Sequence, residues 1–237
     1  MTKKNYSLYG LPEEVRFCSK CTISNQRPSS TIEFIAKDNI KKGIEVNSNN
    51  ICDACKYNDI KNKIDWEERE KKLISLCNKY RKSSGYDCII PGSGGKDSAY
   101  ASHLLKYKYG MNPLTVTWAP HLYTDIGWKN FTNWIHVGGF DNILFTPNGK
   151  LHRLLAKLAF ENLLHPFQTF ILGQKNLAPK IAAQHGINLV FYGENEAEYG
   201  NPIADNTSSL RDKSYFSFDN LDEIFLAGVS IKELMAK

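Results

Sequence analysis

Two groups of residues in this chain have the types and spacing for chemistry. The first is Ser93-Gly94-Gly95-Lys96-Asp97-Ser98. Two glycines let the backbone approach an anion with no Cβ in the way, and Ser93 and Ser98 carry hydroxyl donors. If a helix begins here, its free N–H groups and its dipole favour negative charge. The combination predicts a phosphate-binding loop, in which Lys96 adds positive charge unless it points away. Asp97 beside a phosphate needs a cation between the two, which predicts a role near Mg²⁺. The pattern is not Gly-x4-Gly-Lys-Ser/Thr, which the chain lacks. The second group is Cys18-x2-Cys21 and Cys52-x2-Cys55, separated by residues 22–51. Two such knuckles bring four thiolates into a tetrahedral array suited to structural Zn²⁺. A rubredoxin-like iron site or a redox role stays open. The other two cysteines, Cys77 and Cys88, read as core residues of a helix face and a buried strand.

The elements around these residues follow from periodicity. Residues 1–62 are rich in Asn, Ser and Lys, with two short strands expected at Ile32–Phe34 and Ile44–Val46. So little apolar surface needs a metal staple, and this segment reads as a zinc-binding unit built on the four cysteines. Residues 63–237 read as a second domain, built around the phosphate loop. A helix is predicted from Trp66 to about Arg81, a strand over Tyr86–Ile90, and a second helix capped by Asp97 or Ser98 and ending before Gly110. Strands follow at Leu114–Trp118, Asn142–Phe145 and Asn188–Tyr192. Helices are predicted at Trp128–His136, Lys150–Leu164 and Gln174–His185, the last despite Pro179. Strands alternating with helices predict an α/β fold, an open parallel sheet flanked by helices. The phosphate loop then lies at the carboxyl end of a strand, where such sheets place ligands. Two short helices are expected near 219–226 and 230–236. A fifth strand is missing, which predicts an incomplete sheet or a fragment of a longer protein.

Composition narrows the function classes. The chain has 237 residues and a formal net charge of +5, enough for an anionic ligand but short of the basic stripe of a dedicated nucleic-acid binder. A nucleic-acid partner is therefore not expected. No apolar run of membrane-spanning length and no leader-like start occur, so a cytoplasmic protein without a membrane partner is expected. Six cysteines in such a compartment favour metal or catalysis over disulfides.

The six-residue loop resembles the SGGxDS motif of the PP-loop ATP pyrophosphatase superfamily, whose fold is of the adenine nucleotide alpha hydrolase-like type. The resemblance implies cleavage of ATP between its α and β phosphates. Ser93, Gly94, Gly95, Lys96, Asp97 and Ser98 would hold the nucleotide, with Asp97 and Ser98 at the reacting phosphates. Gly193-Glu194-Asn195-Glu196-Ala197-Glu198 resembles the second signature of tRNA-type PP-loop enzymes, matching it at Gly193 and Asn195, with Glu198 in the place of its last acid. Glu194 stands where that signature has His. Glu194 and Glu198 could orient Mg²⁺ or substrate, and the bland reading is a solvated charged loop. Lys175, expected near a helix start, meets a phosphate or is a plain exposed lysine. Trp118 and the loop His121–Asp125 fall beside adenosine or substrate, or serve packing.

Most of the chain, from Phe17 to about Pro202, resembles the N-acetyl sugar amidotransferases of pseudaminic acid, legionaminic acid and lipopolysaccharide sugar modification. The resemblance rests on Phe17-Cys18-Ser19-Lys20-Cys21-Thr22, Ile51-Cys52-Asp53-Ala54-Cys55, Pro91-Gly92-Ser93-Gly94-Gly95-Lys96-Asp97-Ser98, Thr115-Val116-Thr117-Trp118-Ala119-Pro120 and Tyr192-Gly193-Glu194-Asn195-Glu196-Ala197-Glu198-Tyr199-Gly200-Asn201-Pro202. It implies conversion of a sugar acetamido group to an acetamidino group with ATP and Mg²⁺, through an adenylylated amide. A separate glutaminase would supply ammonia, because no N-terminal Cys and no paired Cys and His offer a glutaminase nucleophile here. The alternative is a PP-loop tRNA-modifying enzyme of the thiolase type. That chemistry needs a reactive cysteine near the ATP site, and the chain has none after Cys88.

Overall fold

The computed structural model describes residues 11–27, 43–194 and 224–236. The expected strand at Ile32–Phe34 and the residues Asn195 and Glu198 lie outside them. Three short strands, β1 (Cys88–Pro91), β2 (Pro113–Trp118) and β3 (Asp141–Phe145), pair in parallel in the order β1-β2-β3. The stretch expected as a fourth strand contributes one parallel bridge, Ile89 to Val190. Ile89 donates to the Leu189 carbonyl at 2.9 Å, and Phe191 donates to the Ile89 carbonyl at 2.9 Å. The bridge goes no further because the chain then meets the backbone that follows β1. A Cβ on Gly193 would lie 2.9 Å from the Asp97 carbonyl carbon and the Ser98 nitrogen.

Alternation along the strands sorts the core into two layers. Ile89, Leu114 and Val116 face a long helix, α6 (Gln168–Gln184), and pack on its Leu177, Ala178 and Ala182. Cys88 and Ile90 face the other way. They pack with Cys77 of α2 (Trp66–Tyr80), Leu105 and Met111. Central strands buried on both faces are what a parallel sheet between helices requires. A third cluster joins Phe131 and Trp134 of α4 (Asp125–His136) to Phe140, and the Trp134 indole donates to the buried Ser102 hydroxyl at 2.8 Å.

Several boundaries differ from the sequence reading for local reasons. Helix α3 covers Lys96–His103 with Gly95 at its N-cap, so Asp97 and Ser98 stand inside the first turn and are not caps. It continues as a π-helical turn, Leu104–Lys108. That wider turn brings Lys106 and Tyr107 onto the Gly139 and Gly138 carbonyls beyond α4. Helix α4 starts at Asp125, one turn early, because the Thr124 hydroxyl accepts from Gly127 N–H. Helix α5 spans Gly149–Leu163. Helix α6 starts at Gln168, six residues before the expected Gln174. Its first residues, Gln168 and Thr169, are polar yet buried, and Ala227 N–H donates to the Gln168 side chain at 3.1 Å.

Near the C-terminus the described part of the expected helix at 219–226 is instead a strand. Phe225–Leu226 (β4) pairs antiparallel with Val229–Ser230 (β5). Ala227 and Gly228, with φ of 56° and 74°, make the tight turn. The expected helix near 230–236 is found as α7 (Ile231–Met235), opened by a capping box of Ser230 and Glu233. Among the described residues no helix is long and apolar enough to cross a membrane.

The entries to β1 and β2 are tied by one carboxylate that the sequence did not flag. Asp87 is buried and accepts from the N–H groups of Lys82 at 2.6 Å and Asn112 at 2.7 Å. Hydrogen bonds to a charged acceptor are the stronger kind, and removing the acceptor strands both donors. We predict that Asp87→Ala lowers unfolding free energy by about 3 kcal/mol in urea titration. A loss below about 1 kcal/mol would show that water replaces the carboxylate at no cost.

Candidate functional site

Where β1 ends, the chain turns sharply over Gly92–Gly95 and enters α3. Each glycine there has a separate reason. A Cβ on Gly92 would overlap the Ser98 side chain at 2.4 Å. Gly94 has φ +82°, and a Cβ there would lie 2.7 Å from the Phe131 Cα of α4. Gly95 has open space around it. A cavity of about 370 Å³ opens beside this turn. Ser93, Gly95, Asp97 and Ser98 line it on one side, Trp118 at the end of β2 on another, Gln174 and Lys175 of α6 on a third, and Tyr192 to Glu194 on the last. The first N–H groups of a helix have no partner within it, so the start of α3 gives this wall of the cavity a positive helix end that attracts anions.

The expected residues divide as follows. Ser93, Gly95, Asp97, Ser98, Trp118, Lys175, Gly193 and Glu194 meet around one cavity. Gly94 does not line it and serves the packing of the turn on α4. Lys96 points away, its side chain 88% exposed and paired with Asp97 at 2.6 Å. The Ser98 hydroxyl is buried and donates to the Gly95 carbonyl at 3.1 Å, so its proton already has a partner within the chain. Gly193 fits tightly against the Asp97–Ser98 backbone.

Lys175 corrects the sequence reading in two respects. It stands in the second turn of α6, not at the helix start, and it is 8% exposed, not a surface lysine. Pro179, four residues on, has no N–H to give the Lys175 carbonyl. That carbonyl instead accepts from the Tyr192 hydroxyl at 3.2 Å. The proline therefore does not break the helix. It frees an acceptor that fastens one cavity wall to another.

The cysteine quartet forms a second site. Cys18 and Cys21 sit on a knuckle closed by the bridge Phe17–Ser24. Cys52 follows a second, closed by Val46–Cys52. Cys52 is the N-cap and Cys55 lies in the first turn of α1 (Asp53–Lys61). Arg16 braces the second knuckle, donating to the Asn47 carbonyl at 2.7 Å and the Asn50 side chain at 2.6 Å. All four Sγ atoms lie within 4.8 Å of one another, with Cys18–Cys55 at 3.8 Å and Cys21–Cys52 at 3.5 Å. These are not disulfide distances, and all six cysteines are free. Four sulfurs about 2.3 Å from a central ion lie about 3.8 Å apart, so the set fits a tetrahedral metal site with four thiolate ligands. Burial raises the Cys18 thiol, but N–H groups of Cys52, Cys21 and Lys20 outweigh it and bring the pKa down to about 6. Burial, and then the neighbouring thiols, push Cys55 up. A dication among them would ionise all four. Cys77 and Cys88 stand apart in the core, as expected, with burial raising Cys77 and pushing Cys88 up to about 12.

The cysteine set predicts one metal ion per chain by elemental analysis. Cys52→Ser should lose that ion and deprotect the amides of residues 43–61 in hydrogen exchange, with those of β1 to β3 unchanged. Full protection in metal-free protein would refute the staple.

No family model matches the chain. An uncharacterised protein of Methanocaldococcus jannaschii is similar, 38% identical over 77 residues. That alignment takes in 32% of this chain and 27% of the archaeal protein's length.

Proposed function

We propose that this protein is a PP-loop ATP-dependent N-acetyl sugar amidotransferase. The observation that carries the proposal is the cavity at the carboxyl end of β1. Its walls bring together the anion-attracting turn Ser93–Ser98, a buried lysine and two carboxylates, Asp97 and Glu194. N–H groups of the turn and Lys175 would hold triphosphate oxygens, and Trp118 or Tyr192 offers an aromatic wall to the base. Asp97 and Glu194 line the same cavity and would hold Mg²⁺ against the phosphates. The sugar resemblance selects the reaction among those that split ATP at the α-phosphate.

The chemistry follows from what an amide lacks. Its oxygen is a poor leaving group, so ammonia alone does not displace it. In the proposed sequence the amide oxygen attacks the α-phosphorus of ATP and pyrophosphate departs, giving an O-adenylylated imidate. Ammonia adds to the imidate carbon, one proton leaves to solvent, and AMP departs with the former amide oxygen. The acetamido oxygen is thereby replaced by NH. Turn N–H groups and Lys175 act where charge grows on the departing pyrophosphate. Ammonia would come from a separate glutaminase. Sulfur transfer to tRNA fits less well, because Cys77 and Cys88 are buried core residues with raised pKa. Zn²⁺ in the cysteine quartet would be structural.

Three outcomes test this. Incubation with ATP, Mg²⁺, ammonium and a panel of N-acetylated sugars should yield AMP and a sugar product with O replaced by NH. AMP formed only with tRNA would overturn the reading. Lys175→Met should weaken ATP binding about 10- to 100-fold, the range of a hydrogen bond to a charged group; unchanged affinity would remove Lys175 from the site. The two loop glycines should separate. Gly95→Ala places its methyl in open space at a non-strained φ, so it should fold with nearly wild-type stability yet bind ATP more weakly. Gly94→Ala forces a left-handed residue against Phe131 and should cost about 2 kcal/mol of stability. Equal stability losses in the two variants would contradict these roles.

A further inference from the structure

Next to Trp118 stand side chains that do not line the cavity. His152, in the first turn of α5, is 8% exposed and its Nε2 has no hydrogen-bond partner. Thr169, near the start of α6, is 7% exposed and its Oγ1 has none. The Trp118 indole nitrogen is also buried without a partner. The three belong together. The Trp118 and His152 rings meet edge to face at 6.2 Å. Gly173 lies against the indole, so that a Cβ there would be 2.4 Å from it, and Thr169 is one helical turn before Gly173 on the same face of α6. Buried polar atoms without partners cost free energy and are few in folded proteins. Three around one indole mark a place built to receive hydrogen bonds from something else.

The surrounding rings indicate its chemistry. His121 stacks on His152 at 4.1 Å and 29°, and Phe170 lies at 5.4 Å from His121 and 6.3 Å from His152. His121 is exposed and is the outer leaf of this stack, over the buried His152. We propose that Trp118, His152 and Thr169, with the His121–Phe170 rings, form the acceptor subsite, which takes a neutral, polyhydroxylated ring. This rests on the amidotransferase reading and names where that substrate sits. Hydroxyl groups both donate and accept, matching an indole N–H that only donates, a threonine hydroxyl that does both and an imidazole nitrogen. The flat rings suit the C–H faces of a pyranose. No charged side chain belongs to the group, so an ionised ligand would gain nothing there. Burial, and then His121, hold His152 below the usual histidine pKa, which keeps it neutral. Trp118 lines the phosphate cavity and meets His152 edge to face, so a sugar held here would pass its acetamido group beyond the indole edge to reach the phosphates.

Thr169→Val decides the matter, because it removes the hydroxyl and keeps the shape. With no partner in the free protein, the hydroxyl contributes nothing to folding, so the variant should melt at or above the wild-type temperature. Its affinity for N-acetylglucosamine or N-acetylmannosamine should fall about five- to tenfold, with ATP affinity unchanged. In ¹⁵N-histidine-labelled wild-type protein either sugar should shift the His152 signal saturably, the assignment being made with His152→Gln. A melting temperature several degrees lower in Thr169→Val would mean that the hydroxyl is structural, and would overturn the subsite. So would an unmoved His152 signal, even if AMP forms with the same sugars, which would leave the amidotransferase reading intact. A shifted His152 without AMP formation would support the subsite and remove the amidotransferase reading.

Discussion

The arrangement depends on one close approach. After the bridge to β1, Gly193 lies against the backbone of Asp97 and Ser98 with no side chain between. Any Cβ there would push the 189–194 segment off the first turn of α3. Because that segment also supplies Tyr192 and Glu194, the contact sets the width of the cavity. The same economy recurs at Gly92 against Ser98 and at Gly94 against Phe131. Backbone lies against Gly94 and Gly193, and side chains of Ser98 and Trp134 against Gly92.

Pro179 and Tyr192 add a second fastening of the same kind. A proline inside a helix ordinarily costs about 3 kcal/mol, partly through the carbonyl it leaves without a donor. Here that carbonyl belongs to Lys175 and is taken by Tyr192, the residue before Gly193. The backbone beneath the buried lysine is therefore joined to the segment that Gly193 seats on α3. The lysine itself is buried and lines the cavity, across from the turn that leads into α3.

Local pattern made part of this legible in the sequence. The glycine and serine spacing of the turn, the Cys-x2-Cys pairs and the strand–helix alternation are short-range signals, and the structure places the four cysteines together and the turn between β1 and α3. What was not legible depends on partners distant in sequence. Gln168 and Thr169 look like loop residues until Ala227 and the Trp118 group are brought beside them. Lys175 looks like a surface residue because nothing in its own helix reports the cavity. Asp87 looks like an ordinary residue of the Tyr86–Ile90 strand, although it joins two strand entries. The Asn188–Tyr192 strand has the right composition but little pairing, since Gly193 commits the chain to α3 instead.

The cysteine quartet shows a different division of labour. Residues 11–27 and 43–62 bury few apolar side chains, chiefly Cys18, Ile44 and Cys52, and two of those three are themselves ligand candidates. A core this small does not offset the entropy of ordering its loops. Positive φ at Thr22 and Asn50, one in each knuckle, adds strain. A metal bound at the four sulfurs would supply the compensation, and its affinity would then be part of the folding equilibrium. The sheet needs no such help, because β1 and β2 are buried on both faces by helices. Metal loss should therefore act on the cysteine segment first and reach the Ser93–Ser98 turn only through whatever contacts join the two.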